Sequence, residues 1–300
     1  MNIKKILEEK NIGDIKENED MSLHTTYKVG GVCDYYVQPS SIDNLITLIK
    51  VLKENDIKFK VIGKGSNTIF SSKRFNGVVI NLNKLDQVEI NDTNVNVMSG
   101  FSLIKLSNVC ANNNLSGIEF ASGIPGNVGG AIYMNAGAYN SSMSDIVVDV
   151  TYLDENMNVV TKENKDLKFG YRESMFMKSN FIILSTNLKL EKGKKDEIIK
   201  LMNDRRQRRI ESQPLEYPSA GSVFRNPAPD IYAGKLIEDL GMKGYSIGGA
   251  KVSEKHANFI VNYNHAKAED IKKLIDLIMQ KVKEKYDIDL KVEQEFVNFE

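Results

Sequence analysis

Apolar positions along the chain fall into helical and strand periods separated by glycine-rich breaks. Ile3, Ile6 and Leu7 predict a short amphipathic helix over residues 2–10. In LHTTYKVGG (23–31) the Gly-Gly pair predicts a bend before a strand over 33–38. Ser41 is suited to cap a helix whose Ile42, Leu45, Ile46, Ile49 and Leu52 share a face. KFKVI (58–62) reads as a strand, GKGSNT (63–68) as a glycine loop and 78–82 as a further strand, making a β-α-β unit. Next come a strand over 95–99, a helix over 102–114 with Leu103, Leu106, Val109 and Cys110 inward, and strands over 146–153, 158–161 and 181–190. Residues 196–213 form a basic helix with Arg205, Arg206, Arg208 and Arg209, read as a solvated face.

From about residue 200 the chain reads as a separate α+β unit. A short helix over 233–240 stops at Gly241, and 242–262 is a loop followed by a strand. Ile271, Leu274, Ile275, Ile278 and Val282 define a long amphipathic helix over 269–286. A closing strand is predicted over 288–299, with Ile288, Leu290, Val292 and Phe296 opposite Asp289, Lys291, Glu293 and Glu295.

Two breaks carry more than turn chemistry. ASGIPGNVGGAIYMNAGAY (121–139) is uncharged and packed with glycine, and Pro125 is suited to the first turn of a helix. Such a loop is either a tight packing corner or a cradle of backbone N–H groups for an anion such as a diphosphate. Its spacing is neither the dinucleotide fingerprint nor a P-loop. Gly63-Lys-Gly65 supplies G-x-G after a strand, but no third glycine or helical period follows, so a Rossmann turn is not expected. The alternatives there are a plain turn or a second anion loop, with the Ser66, Asn67 and Thr68 side chains at its mouth.

Composition narrows the function. The 300 residues carry forty charges of each sign, which argues against a dedicated nucleic-acid or membrane-surface binder. No apolar run reaches membrane-span length, and MNIKKILEEKN lacks the apolar core of a signal peptide, so a cytoplasmic protein is expected. Cys33 and Cys110 are far apart and read as reduced thiols. His24, His256 and His265 are scattered, so no protein metal site is expected. No G-x-S-x-G is present. What remains is Arg172 in an aromatic segment, Ser222 in a small-residue loop, and Glu293 or Glu295 on a polar strand face. Singly each reads as ordinary surface; with two phosphate-type loops they suggest a nucleotide cofactor, with the protein supplying a proton and a positive charge.

In order, HTTYKVGG (24–31), GKGSN (63–67), SGIPGNVGGAIYMNAGAY (122–139), GYRESMF (170–176), SAGSVFRNP (219–227), GGAKVSEKHANFIVN (248–262) and the closing E-x-E resemble the UDP-N-acetylenolpyruvoylglucosamine reductase family, over nearly the whole chain. The resemblance implies an α+β, vanillyl-alcohol-oxidase-type FAD-binding domain of two lobes and a C-terminal substrate-binding domain. The boundaries expected are 1–20 for the N-terminal helix, 21–90 and 91–195 for the lobes, and 196–300 for the last domain. It implies non-covalent FAD held by Gly63, Gly65, Ser66, Asn67, Gly123, Ile124, Pro125, Gly126, Val128, Gly129, Gly130 and Ala131. It further implies an enzyme of peptidoglycan synthesis, hence of cell-wall biogenesis, shape and division; a monomer is expected. NADPH would deliver a hydride to flavin N5, then C3 of the enolpyruvyl ether would receive it and C2 be protonated, giving UDP-N-acetylmuramate.

Arg172, Ser222 and Glu295 match the family's catalytic arginine, serine acid and glutamate; Glu295 is taken over Glu293 as the second of the E-x-E pair. Asn226 matches a substrate-contact position, and Arg225 beside it is expected to bind substrate too. Members commonly carry a basic residue two positions after the glutamate; here Val297 stands there, leaving that anion contact to Arg225 or Lys251. The short run 181–196 has no room for the tyrosine loop that marks one branch, so the branch lacking it is expected. The competing readings are another FAD-dependent oxidase or dehydrogenase of the superfamily, and a non-catalytic nucleotide-sugar or flavin-binding regulator. The Arg, Ser and Glu in matching loops disfavour the regulator.

Overall fold

The apolar stripes account for the helices. The computed structural model of the protein describes residues 3–300. Its helices are α1 (Ile3–Glu9), α2 (Ile42–Glu54), α3 (Leu103–Asn112), α4 (Val128–Tyr133), α5 (Lys195–Ser212), α6 (Ala233–Asp239) and α7 (Ala268–Tyr286). Residue 2, the first of the expected N-terminal helix, lies outside the described residues. Ser41 caps α2, its hydroxyl accepting the Asn44 N–H at 3.1 Å. Gly241, with φ +69°, ends α6 in the left-handed conformation expected of a C-terminal glycine.

The chain forms two compact units. The first comprises the chain up to Glu17, Tyr35–Lys64 and Gly77–Gln207. Here Phe59–Ile62 pairs in parallel with Phe75–Asn81 in a four-stranded sheet, and α1 and α2 bury Leu7, Leu45, Leu48 and Leu52 with Val78 and Ile80. A five-stranded antiparallel sheet runs in the spatial order Val159–Glu163, Val147–Leu153, Ile182–Lys189, Asn94–Met98, Val88–Asn91. It shares a core with α3 and α4 through Val95, Val97, Leu106, Val128, Ile132 and Leu188.

The second unit comprises Asn18–Asp34, Gly65–Asn76 and Arg208–Glu300. Ser246–Ile247, Ala250–Val252 and Ile260–Asn262 make an antiparallel sheet. Its core joins Ile237 of α6 and Ile271, Leu274, Ile275 and Ile278 of α7 to Tyr27, Val29 and Ile69 from the two early segments.

Three features depart from the sequence reading. α4 starts at Val128 with Asn127 in the N-cap position, so exposed Pro125 precedes the helix and is not in its first turn. The closing segment is a strand only over Glu295–Val297, parallel to Thr68–Phe70. Upstream it pairs elsewhere: Val292 bridges Phe224, and the Glu293 N–H donates to the Val223 carbonyl at 2.8 Å. One apolar alternation therefore serves two successive partners. Finally, Gly13–Asp20, Thr68–Phe70 and Val88–Asn91 are strands that the apolar pattern did not mark. GDIKENED is mostly exposed and charged, as edge strands often are, and so carries little apolar alternation.

Candidate functional site

In the second unit, Ser222 and Glu295 belong to one hydrogen-bonded cluster. Gln294 is buried between the two glutamates; its Nε2 donates to the carbonyls of Ala220 (3.1 Å), Gly221 (3.3 Å) and Ser222 (3.4 Å). Its Oε1 accepts the Tyr27 hydroxyl at 3.2 Å, and burial raises the Tyr27 pKa strongly, keeping that phenol a donor. Gly221 holds φ +75°, which turns the chain into half-buried Ser222. Beyond Ser222, buried Asn258 clamps Phe224 from both sides: Oδ1 accepts the Phe224 N–H (3.0 Å) and Nδ2 donates to its carbonyl (2.8 Å). The Asn258 carbonyl accepts the Val223 N–H at 2.9 Å. Glu295 is half-buried; its N–H donates to the Asn67 carbonyl (2.9 Å), and Asn67 Nδ2 donates to the Glu293 carbonyl (3.0 Å). The loop residue Asn67 is thus tied to the strand that presents Glu295. Arg225 and Asn226 follow Ser222 directly; Asn226 Oδ1 accepts the Ala233 N–H at the start of α6, 3.2 Å away. Lys251 Nζ stands 3.9 Å from the Tyr263 ring centroid and pairs with Glu254 at 2.9 Å.

Arg172 belongs to the first unit and sits in a tight turn closed by paired backbone bonds between Gly170 and Glu173. Its φ is +56°, a conformation that costs a long side chain of order 1–3 kcal/mol and persists only where neighbours enforce it. They do so at several points. Asn135 Nδ2 donates to the Gly170 carbonyl (2.9 Å) and Ser174 Oγ to the Tyr133 carbonyl (2.7 Å), which fastens the turn to the end of α4. Arg172 Nη2 donates to the Gly137 carbonyl at 2.8 Å. That carbonyl belongs to a small hairpin, Gly137–Ala138 against Ser141–Ser142, turned by Tyr139 and Asn140 at φ +56° and +60°. The Tyr139 hydroxyl reaches the Arg205 carbonyl at 2.8 Å, securing the hairpin to α5.

Close approach requires glycine at positions 63, 65 and 129 of the two loops. At Gly65, φ is +63° and a Cβ would lie 2.1 Å from the His24 carbonyl oxygen. At Gly63 a Cβ would lie 2.7 Å from Asn127 Oδ1, while the Gly63 carbonyl accepts buried Asn81 Nδ2 at 2.7 Å. In the second loop the Val128 N–H donates to the Phe101 carbonyl (2.9 Å) and the Gly129 N–H to the Ser99 carbonyl (2.8 Å), so these two amides are already committed. A Cβ on Gly130 would meet nothing within 4 Å. Ser99 Oγ and Asn127 Oδ1 are buried without a hydrogen-bond partner among the described residues. Buried polar atoms left unsatisfied are rare, and each calls for a partner that the protein does not itself supply, whether water or a ligand. The corner therefore fits a polar ligand bearing hydroxyl or N–H groups, as FAD does.

Gln294, Asn258, Asn135 and Asn81 hold this machinery in place, and none was singled out from sequence. An uncharged amide has no spacing signature; only its partners reveal it. Both cysteines are buried free thiols, and burial pushes Cys33 up to about 11 and Cys110 to about 12.

Residues 33–161 match the family described as FAD binding domain, and residues 213–297 match UDP-N-acetylenolpyruvoylglucosamine reductase, C-terminal domain. The UDP-N-acetylenolpyruvoylglucosamine reductase of Caldanaerobacter subterraneus subsp. tengcongensis is 48% identical across 98% of this chain and 96% of its own. The crystal structure of UDP-N-acetylenolpyruvylglucosamine reductase from Thermus caldophilus superimposes with a TM-score of 0.79 at 30% identity, covering 94% of this chain and 98% of that one. BBE-like 1 of Physcomitrella patens shares the fold alone, with a TM-score of 0.51 at 18% identity over 64% of this chain and 45% of its own. The architecture is the α+β, vanillyl-alcohol-oxidase-type FAD-binding fold that the motifs implied. With such likeness along nearly its full length, the chain belongs to the UDP-N-acetylenolpyruvoylglucosamine reductase family.

Proposed function

We propose that this protein reduces the enolpyruvyl ether of UDP-N-acetylglucosamine to UDP-N-acetylmuramate for peptidoglycan synthesis, with bound FAD and NADPH as hydride donor. Likeness to a reductase of that name, 48% identical over 98% of the chain, carries the reading. FAD, when bound, supplies the two-electron relay from NADPH to the substrate.

The chain's own residues supply the rest. Hydride addition at C3 builds negative charge toward the substrate carboxylate, and the fixed Arg172 cation lowers that barrier electrostatically. Ser222 donates the proton to C2, and Glu295 supports carboxylate binding and proton delivery. The amide-held backbone on both sides of Ser222 limits its hydroxyl to rotation about its own bonds, which suits delivery to one atom. Arg225 and Asn226 contact substrate, with Lys251 an alternative cation for the anion contact that Val297 cannot make. Gly63, Gly65, Ser66, Asn67, Gly123, Ile124, Pro125, Gly126, Val128, Gly129, Gly130 and Ala131 line the FAD. Segments 21–90 and 91–195 serve the cofactor and 196–300 the substrate.

Only two residues separate Glu191–Lys192 from α5, which supports the branch without a tyrosine loop. No helix among the described residues is long and apolar enough to cross a membrane. A cytoplasmic monomer completes the proposal.

The visible spectrum tests it. Purified protein should be yellow, bleach anaerobically with NADPH and recolour on adding the enolpyruvyl nucleotide sugar. A colourless protein that takes up no FAD would sink the flavin reading. One that bleaches but never recolours with this substrate would point to a different oxidoreductase of the superfamily.

A further inference from the structure

We propose that Asn127 and Ser99 bind the flavin half of the cofactor, through its ribityl hydroxyls or ring N–H, and not its diphosphate. The inference rests on FAD being the resident cofactor and refines where each part of it lies.

An asparagine in the N-cap position ordinarily turns its side-chain oxygen back onto the first helical N–H groups. Asn127 makes no such cap bond. Its Nδ2 donates instead to the Gly100 carbonyl, which fixes the orientation of the amide and leaves Oδ1 facing the bare Cα of Gly63. Asn127 is only 6% exposed and Ser99 only 3%, and the outer atom of each lacks a partner among the described residues. Both residues adjoin the start of α4: Asn127 precedes it, the Ser99 carbonyl accepts the Gly129 N–H, and the Ser99 Cβ lies against the Gly129 Cα.

The chemistry of those two atoms is specific. Asn127 Oδ1 can only accept a hydrogen bond, and Ser99 Oγ can accept or donate. An ionised diphosphate carries acceptors alone and would set oxygen against oxygen at Asn127. The amides that would have suited a diphosphate here, those of Val128 and Gly129, are already bonded to the Phe101 and Ser99 carbonyls. The ribityl chain and the flavin ring carry O–H and N–H groups that could donate to both atoms.

Riboflavin, which has no phosphate, provides the test. Full-length protein is stripped of flavin, checked by circular dichroism, and titrated with FAD and with riboflavin by fluorescence quenching. Asn127→Leu and Ser99→Ala should each weaken both ligands by the same factor, on the order of tenfold, as expected for one hydrogen bond. Weakened FAD with unchanged riboflavin would place these residues at the diphosphate or the adenosine and overturn the proposal. So would unchanged affinity for both ligands, or unsubstituted protein that binds FAD but not riboflavin. If the unsubstituted protein takes up neither ligand, the FAD reading itself fails. Should Asn127→Leu lose its native spectrum, Ser99→Ala decides alone, since it removes a single hydroxyl.

Discussion

Ser222 is placed by amides on either side of it, and its substitution separates chemistry from cofactor binding. Ser222→Ala removes one half-exposed hydroxyl and none of the backbone bonds that Gln294 and Asn258 make, so the fold should persist. Flavin reduction by NADPH should be unchanged in stopped flow, while reoxidation by substrate slows by roughly 10²–10⁴, the usual contribution of a positioned acid. Equal rates in both half-reactions would remove Ser222 from the proton path. At this scale the sequence was informative wherever a residue stands in an ordered motif, as Arg172, Ser222 and Glu295 do. It was silent on Gln294, although Gln294 lies between the two candidate glutamates. Strand alternation puts position 294 with the apolar side chains Leu290 and Val292, but a polar residue there is legible only once Tyr27 and the 220–222 carbonyls are known to surround it.

Among the elements, the hairpin at Gly137–Ser142 governs Arg172 most directly. A methyl group at Gly137 would fall 2.5 Å from the Ser141 carbonyl oxygen, so Gly137→Ala must open the hairpin and move the carbonyl that holds the guanidinium. We expect Gly137→Ala to retain FAD and to be reduced normally by NADPH. Its substrate KM should rise and its reoxidation slow, with a stability loss of about 1–3 kcal/mol by urea denaturation. Wild-type reoxidation kinetics would show that the Gly137 carbonyl does not position Arg172. Helices were legible because their stripes are long: the apolar face of α7 alone contributes Ile271, Leu274, Ile275, Ile278 and Val282 to the core. Short elements were not. The three residues of Thr68–Phe70 are all buried and show no period, and the closing segment changes partner midway, which local alternation cannot report.

For the molecule as a whole, burial of neutral groups sets a pH window for stability. The unfolded chain releases thiol protons near the ordinary value of 9.0, whereas folded Cys33 and Cys110 hold theirs to about 11 and about 12. Above the ordinary value the unfolded state binds fewer protons, so stability falls as pH rises through that interval. On the acid side, burial lowers the pKa of His256, whose Nδ1 accepts the Asn258 N–H at 3.2 Å. Below the ordinary 6.5 the unfolded chain takes up a proton that the folded chain resists, so stability falls there too. Urea midpoints should therefore peak between these limits, and Cys110→Ala should flatten the alkaline limb. An alkaline limb unaltered by that substitution would assign it to other groups.

The interleaving of the second unit also bears on how the chain is made. Tyr27 and Ile69 are synthesised well before the partners that bury them, from Phe224 to Leu290. This core cannot close during most of translation. Its formation must wait for those later residues and then join contacts such as Tyr27 with Gln294, 267 residues apart, a non-local closure of the kind that slows folding. By the same topology, residues 208–300 are not a portable cassette: transplanted alone, they would leave behind the tyrosine that holds Gln294 and, through it, the serine turn.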